Sequence, residues 1–576
     1  MPKYSALALA ALVAVTCVRV APASAQATPF ERDTLSSATY AEAVAFYREL
    51  ADAYPERVRI EPGFDSDAGL GVELVVVSDY GDAPLIDERR PTFFVNNGIH
   101  AGEPCGVDAS MMLARELAGG RLRGLDLSAA QIVIVPAYNV GGMLKRGGGT
   151  RANQDGPRAY GFRGNAQNLD LNRDFVKQDS RNARGLTFQL QRFSPDVFVD
   201  THTTNGADYQ YPMTVIATQY DKLGPVLGPF LRKRMEPALY AAMAARGYPA
   251  VPYVNASGPP QETGVDIFVD HPRYSTGYAA LLHTIGFVTE AHMLKPFATR
   301  VRATQAFLEE AIGFWLDNRA AIGRLREENA VATAEQDSVA LRWAVDATRA
   351  DTIDFLGYAA VREPSAVTGA ERLRYDRSRP ITARIPFRSY ARPAAQVTPP
   401  RYYYVPAAYE QLLPTWLAYG LYPLSADTTL AATAYRIDDY RTVSEPYEGH
   451  YLHYGVRATP IPTAVAARAG DYLVRVTPAN LQLLAALFEP AAVDSYFAWN
   501  AFDSWLQRKE HFSAYVFEET AAEMLAGDEA LREAFAAKRD AEEGFRQNPR
   551  AQLQWLYERS PHAEDGYGTL PVMRVE

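Results

Sequence analysis

Two histidines and two glutamates stand where they could handle a metal ion and a water molecule. His100 and Glu103 lie three residues apart in His100-Ala101-Gly102-Glu103, just beyond an apolar run. An imidazole and a carboxylate at that spacing can reach one metal ion from a turn. His202 follows Asp196-Val197-Phe198-Val199-Asp200-Thr201. Two His and one Glu make a three-ligand zinc site with a coordination position left for water. Glu290 follows Ile285-Gly286-Phe287-Val288-Thr289. Zinc hydrolases need a carboxylate that takes a proton from the attacking water, and Glu290 meets that need if its strand neighbours the other two. Each residue also has a plainer reading. A lone His-x-x-Glu is a common surface turn, a strand-end histidine can hydrogen-bond locally, and a strand-end glutamate can sit in an ion pair.

The elements that must position these residues are strands and helices in alternation. Short, nearly continuous apolar runs at 72–77, 92–96, 132–135, 197–201 and 285–289 predict strands buried on both faces. Helical periodicity appears at 40–56, 107–117, 223–245 and 301–329. This predicts an α/β domain with a mixed, largely parallel sheet flanked by helices. In open sheets of that kind ligands bind at the carboxyl ends of the strands, which is where His100, His202 and Glu290 fall. Residues 141–168 are rich in Gly, Arg and Asn and read as a long ordered loop of the kind that often carries function. Residues 335–480 carry many Pro and Tyr in short alternating segments, such as Arg401-Tyr402-Tyr403-Tyr404-Val405, and predict a β-rich region. Helical patterns return over 481–576, and the mixed charges of 519–545 read as a solvated face.

The segment Asn168-Leu169-Asp170-Leu171-Asn172-Arg173-Asp174-Phe175 completes a larger pattern. A His-x-x-Glu pair, an Asp-x-Asn-Arg segment, a single strand-end His and a later Glu occur in that order. Over about residues 35–320 the sequence resembles the zinc metallocarboxypeptidases of the carboxypeptidase A-like type. The resemblance implies a catalytic domain over 30–330 and one Zn2+ per chain held by His100, Glu103 and His202. It makes Glu290 the general base, working on a water that the metal acidifies. Asn172 and Arg173 would bind the substrate's terminal carboxylate, and a guanidinium fork suits a carboxylate bidentately. Asp170 would hold the first zinc histidine, fixing its tautomer. The family's carbonyl-polarising arginine has four candidates here, Arg146, Arg151, Arg158 and Arg163. Arg151 is preferred because it follows the Gly-rich turn. Its mobile tyrosine corresponds to Tyr274 or Tyr278, with Tyr274 preferred. Cys105 could be a fourth ligand, but the family uses water there, and a small buried apolar role suits it better.

The implied reaction is hydrolysis of the C-terminal peptide bond of peptides that carry a free terminal carboxylate. Two other readings stay open: a zinc amidase, deacylase or peptidoglycan-peptide hydrolase on the same fold, and a binding module that has lost its chemistry. Composition excludes other classes. The 576 residues carry 58 Lys+Arg against 68 Asp+Glu, a net charge of −10, with no basic run, so no nucleic-acid partner is expected. Residues 1–25 read as a secretory signal peptide: Lys3, an apolar run over 6–18, and Ala23-Ser24-Ala25 as a cleavage site. That run is shorter than the ~20 residues of a membrane span, and no other stretch is long enough, so no span is expected in the mature form. Export to a periplasm or medium follows. Of the two cysteines, Cys17 would leave with the signal, so the mature chain has no internal disulfide. Oligomeric state is not legible.

Overall fold

The computed structural model describes residues 27–79, 87–122, 125–414 and 421–576. The signal-peptide reading of residues 1–25 therefore lies outside the described residues. The architectural centre is an eight-stranded sheet of β1 (Val58–Asp65), β2 (Gly71–Val77), β3 (Thr92–Asn97), β4 (Gln131–Val135), β5 (Val197–Thr204), β6 (Met213–Ala217), β7 (Ala250–Pro252) and β8 (Ile285–His292). Its spatial order is β1-β2-β4-β3-β5-β8-β6-β7. The central pairs β4/β3, β3/β5 and β5/β8 are parallel, and antiparallel pairing occurs toward the margins, at β1/β2, β2/β4 and β8/β6. Every residue of β3, β4 and β5 is buried, which accounts for the nearly continuous apolar runs at 92–96, 132–135 and 197–201.

Successive strand residues alternate between two cores, as the period of two requires. Phe93, Val95, Ile132, Ile134, Val197 and Val199 pack with residues of three helices, α1 (Tyr40–Ala53), α2 (Cys105–Ala118) and α5 (Phe297–Ala334). Phe94, Val133, Phe198 and their neighbours pack with α3 (Arg181–Phe193) and α4 (Ser275–Leu281). Both α1 and α3 are N-capped, by Thr39 in a capping box with Glu42 and by Ser180. The helix expected over 223–245 forms from Leu227 to Ala245, with Leu231–Met235 as a wider π-type turn inside it. Gly224-Pro225 separates it from the short turn Tyr220–Leu223. Gly224 takes a left-handed φ of 119°, which a helix cannot contain.

The fold class matches the expectation: a mixed α/β sheet domain, then β-rich and helical parts. The β-rich part contains two long antiparallel ribbons, Asp351–Pro364 with Glu371–Arg388 and Thr428–Thr442 with His453–Ala467. These parts are tied to the central sheet domain. Phe387 and Arg388 pair in parallel with Val265 and Asp266. Leu483, Leu484, Leu487, Phe488, Trp499 and Phe502 share the core that covers the second face of the sheet. The last strand, Met573–Val575, returns to pair with Tyr402–Tyr404. Among the described residues no helix is long and apolar enough to cross a membrane.

Candidate active site

The carboxyl ends of β3, β5 and β8 bring the singled-out residues together. β3 ends at Asn97, and Gly98 at a left-handed φ of 70° turns the chain into His100-Ala101-Gly102-Glu103. The turn closes with Glu103 N donating to His100 O at 2.9 Å. Helix α2 then starts hard against β5: a Cβ on Gly106 would lie 1.9 Å from Thr201 Oγ1, so only glycine permits that approach. His202 and Glu290 are not just beyond their strands, as the apolar runs suggest, but inside them. They are register partners on adjacent parallel strands. The apolar pattern stops first because β5 ends in Thr201-His202-Thr203-Thr204, polar residues that carry the hydrogen-bond ladder into the site.

His100, Glu103 and His202 are buried, and one donor atom from each lies within 4.8 Å of the others. His100 Nδ1 is 3.4 Å from one Glu103 oxygen and His202 Nδ1 is 3.1 Å from the other. The far nitrogen of each ring is held by a carboxylate, His100 Nε2 by Asp170 at 2.9 Å and His202 Nε2 by Asp200 at 3.0 Å. A carboxylate only accepts, so each Nε2 donates and each Nδ1 faces the centre. His100 Nδ1 is buried with no hydrogen-bond partner. A buried acceptor of that kind is costly unless something positive meets it, and two imidazoles with one carboxylate form a donor set that suits zinc.

Asp170 therefore holds the histidine that the resemblance implies. Asp200 was not singled out from the sequence. The signal was present in Asp200-Thr201-His202, because residues two apart on a strand share a face. Asn96 Nδ2 in turn donates to Asp200 at 3.1 Å. Asp200→Asn is expected to weaken metal affinity roughly 10- to 100-fold, as loss of a supporting carboxylate does elsewhere. Competition with a chelator of known affinity measures this, and wild-type affinity in the variant would remove Asp200 from that role.

The electrostatics of the centre are uneven. Burial alone would raise the Glu103 carboxyl, but Arg151 and the histidines hold it well below the usual carboxylate range. Burial likewise opposes charge on His202, yet Asp200 and Glu103 lift it well above the ordinary histidine value. Glu290 goes the other way. Burial pushes it up to about 7, with the Glu103 charge adding to the shift.

Of the four candidate arginines, the structure brings two to the site. Arg151 donates to Glu103 at 2.7 Å, to Gln154 at 2.6 Å and to Thr203 O at 2.9 Å. Arg163 lies 2.8 Å from Asp170 and 3.5 Å from Glu103, and its side chain is 44% exposed against 16% for Arg151. Arg146 instead binds the backbone at Ser37, Ala38 and Ala159, and Arg158 pairs with Asp33. Cys105 is buried, with its thiol 3.4 Å from Thr203 Oγ1, and is not among the metal-facing donors.

A cleft of about 340 Å³ is lined by His100, Glu103, His202, Glu290, Arg151 and Arg163 together with Asn172, Arg173 and Tyr274. Arg173 lies over the Tyr274 ring at 4.6 Å, and Asn172 Oδ1 accepts from Ser275 N at 2.9 Å. Tyr278 is fully buried against Phe175 and does not line the cleft. Tyr253 and Phe268 also line it and were not foreseen. A larger cavity of about 610 Å³ shares no lining residue with the cleft and holds none of these donors.

Residues 43–205 match the family described as zinc carboxypeptidase. That span includes the three donors and the Asp170–Arg173 segment, and Glu290 lies beyond it. Among solved structures, a metallo-carboxypeptidase from Burkholderia cenocepacia is 16% identical over 49% of this chain and 70% of its own, with a TM-score of 0.37. Carboxypeptidase A from Helicoverpa armigera is 15% identical over 52% of this chain and 78% of its own, with a TM-score of 0.38. A metallo-carboxypeptidase from Pseudomonas aeruginosa is 18% identical over 48% of this chain and 69% of its own, with a TM-score of 0.34. No protein of curated function matches the chain.

Proposed function

We propose that this chain, whose residues 43–205 match the zinc carboxypeptidase family, removes residues one at a time from peptides with a free C-terminal carboxylate. The observation that carries this reading is a shared cleft: Asn172 and Arg173 line the same cavity as the three metal donors and Glu290. His100, Glu103 and His202 hold the zinc. A zinc ion there supplies Lewis acidity, which polarises a carbonyl and makes a nearby water more acidic.

The chain's own residues supply the rest. Glu290 takes the proton of the attacking water and returns it to the departing amine. Its raised pKa suits both steps, because a base close to neutrality can also serve as the acid. Arg151 places positive charge where the scissile carbonyl oxygen becomes negative, and the more open Arg163 is the alternative for that task. Arg173 and Asn172 grip the terminal carboxylate, and Tyr274 covers the Arg173 guanidinium. Residues 30–330 form the catalytic domain, and the leader over 1–25 exports the enzyme.

A matched pair of peptides, one a free acid and one its C-terminal amide, tests the proposal. The free acid is expected to be preferred in kcat/KM by at least about 100-fold, because a site built to bind a charged group rejects the analogue that lacks it. Equal hydrolysis of the two would make the enzyme an amidase of the same fold, acting without reference to the chain end.

A further inference from the structure

The ribbon Thr428–Thr442/His453–Ala467 ends at the pair Thr442 and His453, so residues 443–452 form its terminal loop. Val443 N bonds Leu452 O at 3.0 Å, and Tyr447 and His450 bond each other's backbone at 2.7 and 3.1 Å. Gly449 sits at a left-handed φ of 82° within this tight turn. The loop does not stand free. It meets the segment that carries Asp170 and Arg173 at three points. Arg173 Nε donates to Tyr447 Oη at 2.9 Å, Asp170 N donates to Glu448 at 2.7 Å, and His450 Nε2 donates to Asp179 at 2.8 Å. From behind, Tyr447 stacks on Trp499 at 6.2 Å, and Arg273 lies over both rings while paired with Asp494 at 2.7 Å.

These contacts fix one guanidinium. Arg173 has its Nε on Tyr447, its NH1 on Asn172 O at 2.9 Å, and its face on Tyr274 at 4.6 Å. An arginine grips a carboxylate best when its plane is already set, because the fork then loses little freedom on binding. Tyr447 does not line the cleft, so it acts on substrate only through Arg173. We propose that Tyr447, delivered from the C-terminal region, is the positioning residue that holds Arg173 in the plane that receives the substrate's terminal carboxylate. Residues beyond the catalytic domain thereby become part of what makes the enzyme read a chain end. This inference rests on the carboxypeptidase reading above.

The test uses Tyr447→Phe in the full-length enzyme with the same free-acid and amide peptides. The wild type is measured first. If it hydrolyses both alike, the carboxypeptidase reading fails and the role of Tyr447 falls with it. If it prefers the free acid, Tyr447→Phe should raise KM for the free acid about tenfold, leave kcat within about twofold, and leave the amide unchanged, the pattern of lost substrate binding. In an Arg173→Met background Tyr447→Phe should add nothing, since the two residues act as one unit. The proposal is overturned if the variant keeps the wild-type KM for the free acid. It is also overturned if both substrates lose activity equally, or if the Tyr447 effect persists without Arg173.

Discussion

Replacing Glu290 by Gln lowers kcat by about 10²- to 10⁴-fold, the range attributed to a general base, while zinc stays bound. Gln keeps the size and hydrogen-bonding shape of the side chain but cannot accept a proton. The three donors His100, Glu103 and His202 are untouched by the change. Glu290 is the register partner of His202 on the neighbouring strand, so it stands beside the centre and outside the donor set. Burial raises its carboxyl to about 7, and only the ionised form is a base. Activity is therefore lost as pH falls through that pKa. A cation in the centre favours the carboxylate, which moves the acid limb of kcat below about 7. Turnover with the free-acid peptide, paired with metal analysis of the same sample, checks both halves. Wild-type turnover in Glu290→Gln would mean that another group takes the proton.

Removing His202 has the largest expected effect on the metal. His202→Ala should weaken zinc binding by more than the roughly 100-fold that loss of a supporting carboxylate causes, because a direct donor is gone. The pH behaviour gives a second handle. Asp200 and Glu103 outweigh burial and hold His202 well above the ordinary histidine value, which favours its protonated form in the metal-free protein. A ligating imidazole must be neutral at its donor nitrogen, so zinc loading has to displace that proton. Calorimetry in buffers of different ionisation enthalpy should then show protons released on zinc binding. The release should be smaller in His202→Ala, where the Glu290 carboxyl remains to give up its proton, and zinc affinity should fall as pH is lowered. Equal proton release in the wild type and in His202→Ala would remove His202 from the donor set.

Much of this site is legible from sequence because of how its strands are buried. β3, β5 and β8 are covered on both faces, so their apolar runs are nearly unbroken and point to His100, His202 and Glu290 at their ends. What the runs could not show is how far each strand continues. Thr203, Thr204, Ala291 and His292 extend the β5/β8 ladder past the apolar residues, and that extension sets His202 beside Glu290. The helical pattern at 223–245 placed the start of the helix a few residues early, because apolar spacing persists across Gly224-Pro225 while the helical backbone begins only at Leu227. The choice among arginines depends on the path of the loop 141–168, which has no periodicity to follow. The contact between Tyr447 and Arg173 spans 274 residues and two regions of different character, so no local pattern encodes it. Asp200 differs from these cases, because its two-residue spacing from His202 was readable and only its use was not.

The most direct measurement is a mass-spectrometric time course on the free-acid peptide and its amide, with and without a zinc chelator. The proposed carboxypeptidase activity predicts a ladder of products shortened from the carboxyl end of the free acid alone, abolished by the chelator and restored by zinc. Internal cleavage, shortening of the amide at the same rate, or hydrolysis that persists without zinc would contradict a carboxypeptidase built on His100, Glu103 and His202.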